Sequence, residues 1–279
     1  MKKMIKNFMV LTVVIALFAS CNKDDDTIPD GQGKVKVALT DAPFPFEFVT
    51  HANIGVAKVE LKTSSGDYIV VYEGSTSYNM VGLTNGVTAE VGTKTIEAGT
   101  YGQARVTLNS ASVQLSNGTE YDLASEATAN TYTVSVEPAL VVEEGSSSEI
   151  LFDLDVNESF RFHGSGTGIG GFFDWITSVD WIKGCNFNPH FRVCDRNQTG
   201  EITGTVTASD VENTQVYVTI GGERVYTHAK ANGTFTFIGV HPGTYTVYVK
   251  TKHGGTAHSG EVTVTAGSTA TCSVEVSAN

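Results

Sequence analysis

A glycine-rich stretch is the first feature of this sequence that could do chemistry. Gly166, Gly168 and Gly171 match the G-x-G-x-x-G spacing with which a dinucleotide-binding loop holds a pyrophosphate. Such a loop needs a β-α-β unit around it, so that the phosphates meet the start of a helix. The surrounding sequence has no repeated β-α-β pattern, and we interpret the stretch as a flexible linker. The sequence therefore predicts no dinucleotide or other cofactor.

Two further stretches resemble metal sites. The segment that begins at Asp195 starts like a calcium-binding EF-hand loop, but Val206 stands where a bidentate glutamate is required. We interpret this segment as a turn between domains. His253 and His258 flank a hairpin tip, and two imidazoles without a third ligand rarely form a zinc site. We expect no metal site in this chain.

Catalytic nucleophiles also lack a sequence signature. The chain contains no G-x-S-x-G or H-E-x-x-H motif and no Cys–His pairing. Asp41 precedes a proline-bounded turn, where an aspartate usually accepts hydrogen bonds from backbone amides. We therefore assign Asp41 a structural role, name no catalytic residue and expect the protein not to be an enzyme.

Three cysteines lie in the C-terminal half of the chain. Cys185 and Cys194 are nine residues apart, and outside the cytosol a disulfide between them is the prediction. Cys272 has the same period-two phase as Val274 and Val276. This phase predicts a buried free thiol.

The elements that position these residues are predicted to be strands. The chain contains 29 glycines against 6 prolines, and apolar and polar residues alternate through most of its length. Asn117-Gly118 is a strong hairpin signal. Tyr101 and Tyr245 each follow a Gly-Thr pair at a strand start, and we expect both hydroxyls to bond to nearby backbone.

One segment departs from strand periodicity. Residues 172–183 place apolar side chains on one helical stripe, and Gly184 is the predicted C-terminal stop. Phe173 and Trp181 lie off that stripe, and we predict that both rings belong to a ligand-binding surface. The alternative is a helix that caps an open end of the first domain with its rings in the core.

The N-terminus has the layout of a secretory signal. Three lysines precede an apolar run from Phe8 to Phe18, which is too short for a lasting transmembrane anchor. The letters "FASC" resemble a bacterial lipobox, although Phe18 stands where leucine is usual. This resemblance implies that Cys21 is acylated and becomes the first mature residue, which anchors the chain in a lipid bilayer.

An acidic run follows the cysteine directly. "CNKDDD", with the residues Lys23, Asp24, Asp25 and Asp26, resembles the lipoprotein export signal of Bacteroidetes. This resemblance implies an outer-membrane lipoprotein that faces outside the cell; a solvated tether is an interpretation compatible with it. In the same tether, Thr27 resembles the O-glycosylation site of that phylum.

Charge limits the set of partners. The formal net charge is −12, with no basic cluster in the sequence. Such a surface repels phosphate backbones, so nucleic acid is excluded as an expected partner.

Two ordered series of motifs resemble known families. "VALTDAP", "VAKVEL", "VQLSNGTEYDL", "ILFDLDV" and "PHFRVCD" resemble the bacterial domain of unknown function family 4382, for which no activity is established. "ANGTFTFIGVHPGTYTVYV" is similar to carboxypeptidase regulatory-like, or prealbumin-like, domains. The expected organisation is a signal peptide (1–20), an acidic tether (21–33), a β-sandwich (34–196) and a second β-sandwich (197–279).

The predicted fold is all-β, with two β-sandwiches in tandem and one short helix late in the first. The predicted function is noncatalytic binding or adhesion at the cell surface, with a glycan or an envelope or host protein as ligand. A structural spacer or scaffold of an envelope complex is the alternative, and a hydrolase of unknown type is the third hypothesis. An exposed aromatic patch distinguishes a binder from a spacer.

Overall fold

The computed structural model describes residues 27–42, 48–128, 131–164, 179–209, 211–212, 214–251 and 254–277. The strands of the N-terminal half are β1 (Gln32–Ala42), β2 (Val49–Lys62), β3 (Tyr68–Asn79), β4 (Ala89–Glu97), β5 (Gly99–Leu115), β6 (Glu120–Asp122), β7 (Thr131–Val142), β8 (Ser147–Asp155), β9 (Phe160–Gly164), β10 (Ile182–Phe187) and β11 (Phe191–Asp195). The strands of the C-terminal part are β12 (Gly200–Thr207), β13 (Gln215–Ile220), β14 (Glu223–His228), β15 (Thr234–Val240), β16 (Gly243–Lys250), β17 (Thr256–Val264) and β18 (Thr269–Glu275).

Helices are short in the described residues. The α-helices are α1 (Ala124–Ala127) and α2 (Val156–Ser159), and 3-10 helices occupy Met80–Gly82, Val179–Trp181 and Arg196–Gln198. Among the described residues, none of the helices is a candidate membrane span.

The first domain is a sandwich, and buried and more exposed residues alternate along its strands, as in β5. Its strands follow the order β3-β2-β5-β7-β11-β8-β1-β4, with β6 paired to β5. The strand β7 pairs with β5 on one side and, through Val136, with Val193 of β11 on the other. It thereby connects two halves whose inner side chains form one apolar core. A ribbon of β9 and β10 adds Phe160, Phe162 and Phe187 to that core.

The second domain is a smaller sandwich. Its sheets have the orders β15-β12-β18 and β14-β13-β16-β17. Their inner faces pack valines and isoleucines around Phe235 and Phe237, whose ring centroids are 5.8 Å apart. The predicted all-β fold with two β-sandwiches in tandem is thus confirmed.

Local signals for turns are also confirmed. Asn117 and Gly118 form the tip between β5 and β6, where Gly118 has φ +85° and the Asn117 side chain accepts a hydrogen bond from the Thr119 N–H. The Tyr101 hydroxyl donates to the Glu97 carbonyl at 2.8 Å. The Tyr245 hydroxyl donates to the His241 carbonyl at 2.7 Å, so the same device closes a corner in each domain.

The second domain packs on the outer face of the β1–β8–β11 half. Ala38, Leu151, Cys194 and Ile238 form a small apolar cluster between the domains. Gly239 has φ +65°, and a Cβ there would lie 3.0 Å from both the Cys194 Sγ and the Leu151 Cδ2. Glycine is therefore required here both by backbone conformation and by the close approach of the domains.

Polar contacts fix the same interface. Arg192, whose side chain is largely buried, donates from Nη2 to Asp153 Oδ2 at 2.6 Å and from Nη1 to the Gly239 carbonyl at 2.6 Å. Asn85, in a loop of the first domain, donates to the His228 carbonyl at 3.0 Å and accepts from the Thr236 N–H at 3.2 Å. Side chains of the first domain thus satisfy backbone groups of the second.

The predicted helix over residues 172–183 is wrong at its C-terminal end. Residues 171–178 lie outside the described ranges, Val179–Trp181 is a 3-10 helix, and Ile182 and Lys183 begin β10. Gly184 does not end a helix, because it lies inside β10 opposite His163. Pairing with β9 supplies hydrogen bonds and buries Ile182, which overrides the local helical pattern.

Candidate functional site

Four aromatic side chains form a row across the outer surface of the second domain. In β13, Val216 and Val218 are buried in the core, so Tyr217 between them points outward. The register places Tyr217 opposite Tyr226 of β14 and Tyr248 of β16. Tyr248 in turn lies opposite His258 of β17. We call the outer surface of this sheet, defined by Tyr217, Tyr226, Tyr248 and His258, the tyrosine face.

A tight turn sets part of this register. Gly221 and Gly222, with φ +60° and +91°, connect β13 to β14 as a two-residue hairpin loop. Since loop length fixes the pairing, Ile220 lies opposite Glu223 and Tyr217 opposite Tyr226. A shift of one residue would turn the tyrosines into the core and the valines outward.

The rings of the row contact one another. The centroids of Tyr217 and Tyr248 are 5.1 Å apart with an interplanar angle of 13°. Rings lying side by side in one plane would overlap at this separation, so these two stack face to face. The Tyr217 and Tyr226 centroids are 5.6 Å apart, and those of Tyr248 and His258 are 5.9 Å apart. The row is therefore continuous over four strands, and the stacked Tyr217 and Tyr248 rings turn their edges outward, while Tyr226 and His258 are tilted by 45° and 53° against them.

Polar and charged side chains flank the row. On one side, Gln215 lies between His228 and Lys250 in the register. On the other side, Arg224 lies opposite Thr219. The Arg224 guanidinium lies 5.1 Å from the Tyr217 ring centroid. Hydrogen bonding to the Tyr226 side chain raises the pKa of Arg224 above its ordinary value.

The second aromatic group is Trp181, which the sequence predicted as ligand-facing. Its side chain is 57% exposed in the 3-10 helix Val179–Trp181, next to the β9–β10 ribbon. The exposure contradicts a core role for this ring, while its contact with a ligand stays a prediction. The other predicted ring, Phe173, lies outside the described residues.

The predicted disulfide between Cys185 and Cys194 is wrong, because both cysteines are free thiols. Cys185 of β10 is buried in the core of the first sandwich. In β11, Val193 points into that core and Cys194 points the opposite way, against Ile238 of the second domain. The two thiols thus lie on opposite sides of the sheet that contains β11. Cys272 is free, as predicted, but half-buried.

Burial makes both buried thiols poor nucleophiles. Burial raises the pKa of Cys185 to about 12, and the nearby Glu126 carboxylate adds to this effect. Burial raises the pKa of Cys194 to about 11, although Arg192 opposes the shift. Since the thiolate is the reactive form, neither group fits nucleophilic catalysis.

A cleft between the domains gathers charged residues. It has a volume of about 360 Å³ and is lined by Asp153, Asp155, Glu158, His190, Arg192, Glu223, Arg224, Val225 and Tyr226. Burial raises the pKa of Asp155 to about 6; a hydrogen bond from the Glu158 N–H opposes this shift, and the Asp153 carboxylate reinforces it. His190 of the first domain lies 3.5 Å from Glu223 of the second. The charged groups of this cleft thus connect the two domains. Among the residues that the structure describes, no three His, Cys, Asp or Glu side chains are placed to hold a metal ion.

Asp41 and Asp195 both hold backbone. Asp41 Oδ1 accepts a hydrogen bond from the Val156 N–H at 3.3 Å, and burial raises the pKa of this carboxyl well above its ordinary value. Asp195 accepts from the Asn197 N–H at 2.8 Å and from the Val141 N–H at 3.0 Å. The segment after Asp195 is a turn between the two domains, as predicted. The Asp195 carboxylate accepts hydrogen bonds from backbone N–H groups and holds this turn in place.

The remaining predicted site residues fall near the N-terminus. Cys21 and the run Lys23, Asp24, Asp25 and Asp26 lie outside the described residues, as do the three glycines of the dinucleotide-like motif. Thr27 is described and exposed. Acylation, export and glycosylation at these positions stay predictions.

Sequence reasoning missed the tyrosine face. The pairing of Tyr217 with Tyr226 could have been predicted from the sequence, because counting outward from the Gly221-Gly222 turn places these two residues opposite each other. The rest of the face depends on pairing between β13 and β16, and on an irregularity in the β16–β17 pairing before Tyr248. Nothing local in the sequence specifies those two features.

Comparisons with known proteins give a family but no activity. No curated protein sequence matches the chain. Among solved structures, the Bacillus anthracis TIE protein has 7% identity and a TM-score of 0.25, over 87% of this chain and 40% of that one. BcpA, the major pilin subunit of Bacillus cereus, has 10% identity and a TM-score of 0.21, over 89% and 100%. The shaft pilin SpaA of Lactobacillus rhamnosus GG has 9% identity and a TM-score of 0.21, over 89% and 99%.

At these TM-scores the structural similarities carry no functional conclusion. A family model described as "Carboxypeptidase regulatory-like domain" matches residues 200–277, which contain the tyrosine face. A model described as "Domain of unknown function (DUF4382)" matches residues 32–171, half of the 279-residue chain. The chain therefore belongs to the DUF4382 family and carries a C-terminal carboxypeptidase regulatory-like domain.

Proposed function

We propose that this protein is a lipoprotein of the cell surface with a noncatalytic binding or adhesion role. The observation that supports this function best is the tyrosine face, which turns aromatic rings outward on four adjacent strands. Tyr248 is 38% exposed there, and Trp181 adds a second exposed ring on the first domain. Solvent-facing aromatic groups with polar neighbours are typical of binding surfaces.

The anchor in this proposal is the acylated Cys21 in the outer membrane, with Lys23 to Asp26 as the export signal. Labelled palmitate should enter the wild-type protein but not Cys21→Ala. Replacement of Lys23 to Asp26 by alanine should leave acylation intact and remove accessibility to external protease. Unchanged accessibility would contradict display outside the cell.

Binding is tested by variants that keep the fold. Tyr248→Ala removes an exposed ring of the tyrosine face, and Tyr68→Ala is the control, because it removes a tyrosine ring from β3 of the first domain, away from that face. On an array of glycans and envelope or host proteins, we expect Tyr248→Ala to lose about 2 kcal/mol of binding free energy, or about 30-fold in Kd. We expect Tyr68→Ala to bind like the wild type.

The exposed ring of the first domain is tested in the same assay. Trp181→Ala should leave the melting temperature nearly unchanged, since the side chain is 57% exposed, and should weaken ligand capture. Phe173→Ala, the second predicted contact, is measured beside it. If Tyr248→Ala and Trp181→Ala both bind every ligand like the wild type, the binding role is wrong.

A structural spacer is the second candidate function. It is favoured by the interface between the domains, where Arg192 and Asn85 of the first domain bond to backbone of the second. Such an interface makes a stiff pair of domains that would hold an attached component at a fixed distance. The spacer gains support if the array yields no ligand while deletion of the second domain still disrupts an envelope complex.

A further inference from the structure

We propose that the tyrosine face binds an anionic polysaccharide, whose carboxylate or sulfate groups meet ring edges and flanking cationic side chains. This inference rests on the proposed function and names the ligand class of the same surface. It follows from three features of the face: the orientation of its rings, the charges beside them and its length.

The orientation of the rings disfavours neutral sugars. A neutral sugar stacks its apolar face on the flat face of an aromatic ring. Here one face of Tyr217 and one face of Tyr248 are already used, because the two rings stack on each other at 13°, and His258 lies beside Tyr248 with a ring-centroid separation of 5.9 Å. The Arg224 guanidinium lies over the Tyr217 ring as well. What remains for a ligand is mainly the ring edges, which carry the positive part of the aromatic quadrupole.

The charges beside the row favour an anion. Arg224 and Lys250 flank the row on opposite sides. Glu261 is the acidic residue of the same sheet on this surface, opposite Thr246. Glu223 lies at the turn and faces His190 of the first domain at 3.5 Å. At the β14 edge, Arg224 and Tyr226 also line the cleft that contains Asp155, Glu158 and Glu223. On the outer surface of the sheet itself, Arg224 and Lys250 outnumber Glu261, on a chain whose net charge is −12.

The acidic remainder of the protein does not abolish this local field. The Debye length is about 8 Å at physiological ionic strength, so exposed charges farther away than this are largely screened. Arg224 is charged at physiological pH, as guanidinium groups are. A bound ligand therefore interacts mainly with the charged groups on the face itself and less with the distant acidic residues that set the net charge of the chain.

The length of the face points to a chain rather than a single anion. Four adjacent strands spaced by about 4.8 Å give a row of roughly 14 Å. Its members are arranged in a line, with hydrogen-bonding groups such as Gln215 and Thr219 on either side. A linear polysaccharide lying across the strands would contact all four rings and place its charged groups at the two flanks.

The test measures binding of the purified protein to immobilised polysaccharides over a series of NaCl concentrations. The probes are heparin for sulfate, polygalacturonate for carboxylate, a soluble β-glucan as the neutral chain and poly-glutamate as a non-sugar polyanion. The variant is the pair Arg224→Gln and Lys250→Gln. Its matched control is Arg105→Gln, which removes the arginine stacked on Tyr68 in the first domain.

We expect at least one acidic polysaccharide to bind at least tenfold more tightly than β-glucan, with affinity falling as salt rises. The Arg224/Lys250 pair of substitutions should weaken this binding at least tenfold, and Arg105→Gln should not. Preference for heparin or for polygalacturonate identifies sulfate or carboxylate as the recognised group.

Three results would overturn the assignment in distinguishable ways. If β-glucan binds best and Tyr248→Ala abolishes its binding, the face binds glycans but not anionic ones, and the proposed function stands. If poly-glutamate binds as tightly as the acidic polysaccharides, charge and not a glycan is recognised. If no probe binds and Tyr248→Ala loses no ligand on the array, both the inference and the binding function are wrong.

Discussion

Substitution of Arg192 by methionine tests how the two domains are held together. The guanidinium lies between them, bonded to Asp153 Oδ2 and to the Gly239 carbonyl, both at 2.6 Å. Side-chain exposure is 14% for Arg192 and 9% for Asp153. Although burial opposes the charge, the Asp153 carboxylate raises the pKa of Arg192 above its ordinary value. Methionine keeps much of the side-chain volume but removes the charge and every donor.

The expected loss of stability is large for one residue. Removal of one partner from a buried ion pair leaves the other as an uncompensated buried charge, which costs about 3 to 5 kcal/mol. The exposed pair of Arg161 and Glu158 is the matched control, with side-chain exposures of 57% and 47%. Arg161→Met should cost about 0 to 1 kcal/mol, because water and salt screen exposed pairs.

Urea unfolding, followed separately in each domain, measures the effect. We expect Arg192→Met to lower the midpoints of both domains, since the side chain stabilises the contact between them. Arg192 Nε and Asp153 Oδ1 have no hydrogen-bond partner among the described atoms, so the pair is incompletely satisfied. The double variant Arg192→Met with Asp153→Leu should therefore lose less than the single one. If Arg192→Met costs no more than Arg161→Met, this account of the interface is wrong.

Thiol labelling, pH titration and removal of one hydroxyl check other features. At pH 8, an alkylating reagent should modify Cys272 first and reach Cys185 and Cys194 only on unfolding, because burial raises the pKa of both to about 12 and about 11; a Cys185–Cys194 disulfide in a nonreducing peptide map would contradict the fold. The folded-state pKa of Asp155 is about 6 against an ordinary 3.8, so its contribution is fully present below pH 3.8 and is lost as pH rises through 6. The loss is at most about 3 kcal/mol, and urea midpoints of Asp155→Asn should lack this fall. Tyr245→Phe removes the hydroxyl bonded to the His241 carbonyl, and calorimetry should show a loss of about 1 kcal/mol.

Local signals predicted the strands and corners because the physical cause was itself local. Alternation of apolar and polar residues fixes which face of a strand is buried, and it placed the core of both sandwiches. The Tyr101 and Tyr245 corners bond to carbonyls four residues earlier. Such contacts lie within a short sequence window and need no knowledge of which strands are neighbours.

Features that depend on long-range pairing were not predictable. Cys185 and Cys194 are close in sequence, yet the chain places them on different sides of a sheet. The sequence after Trp181 continues a helical pattern, but in the structure this segment is strand β10, because it pairs with β9. The tyrosine face requires the β13–β16 register, which pairs Tyr217 with Tyr248, and no local propensity specifies a pairing between residues so far apart in the sequence.

The position of β1 has a mechanical consequence. This strand is paired along both edges, antiparallel to β4 and parallel to β8. A pull on the chain before Gln32 acts along the strand, so it loads the hydrogen bonds on both sides in shear and all together. Peeling would instead break them one after another. If the chain is anchored through its N-terminal tether and a ligand on the second domain is pulled, β1 would therefore resist unfolding, because both rows of hydrogen bonds must break at once.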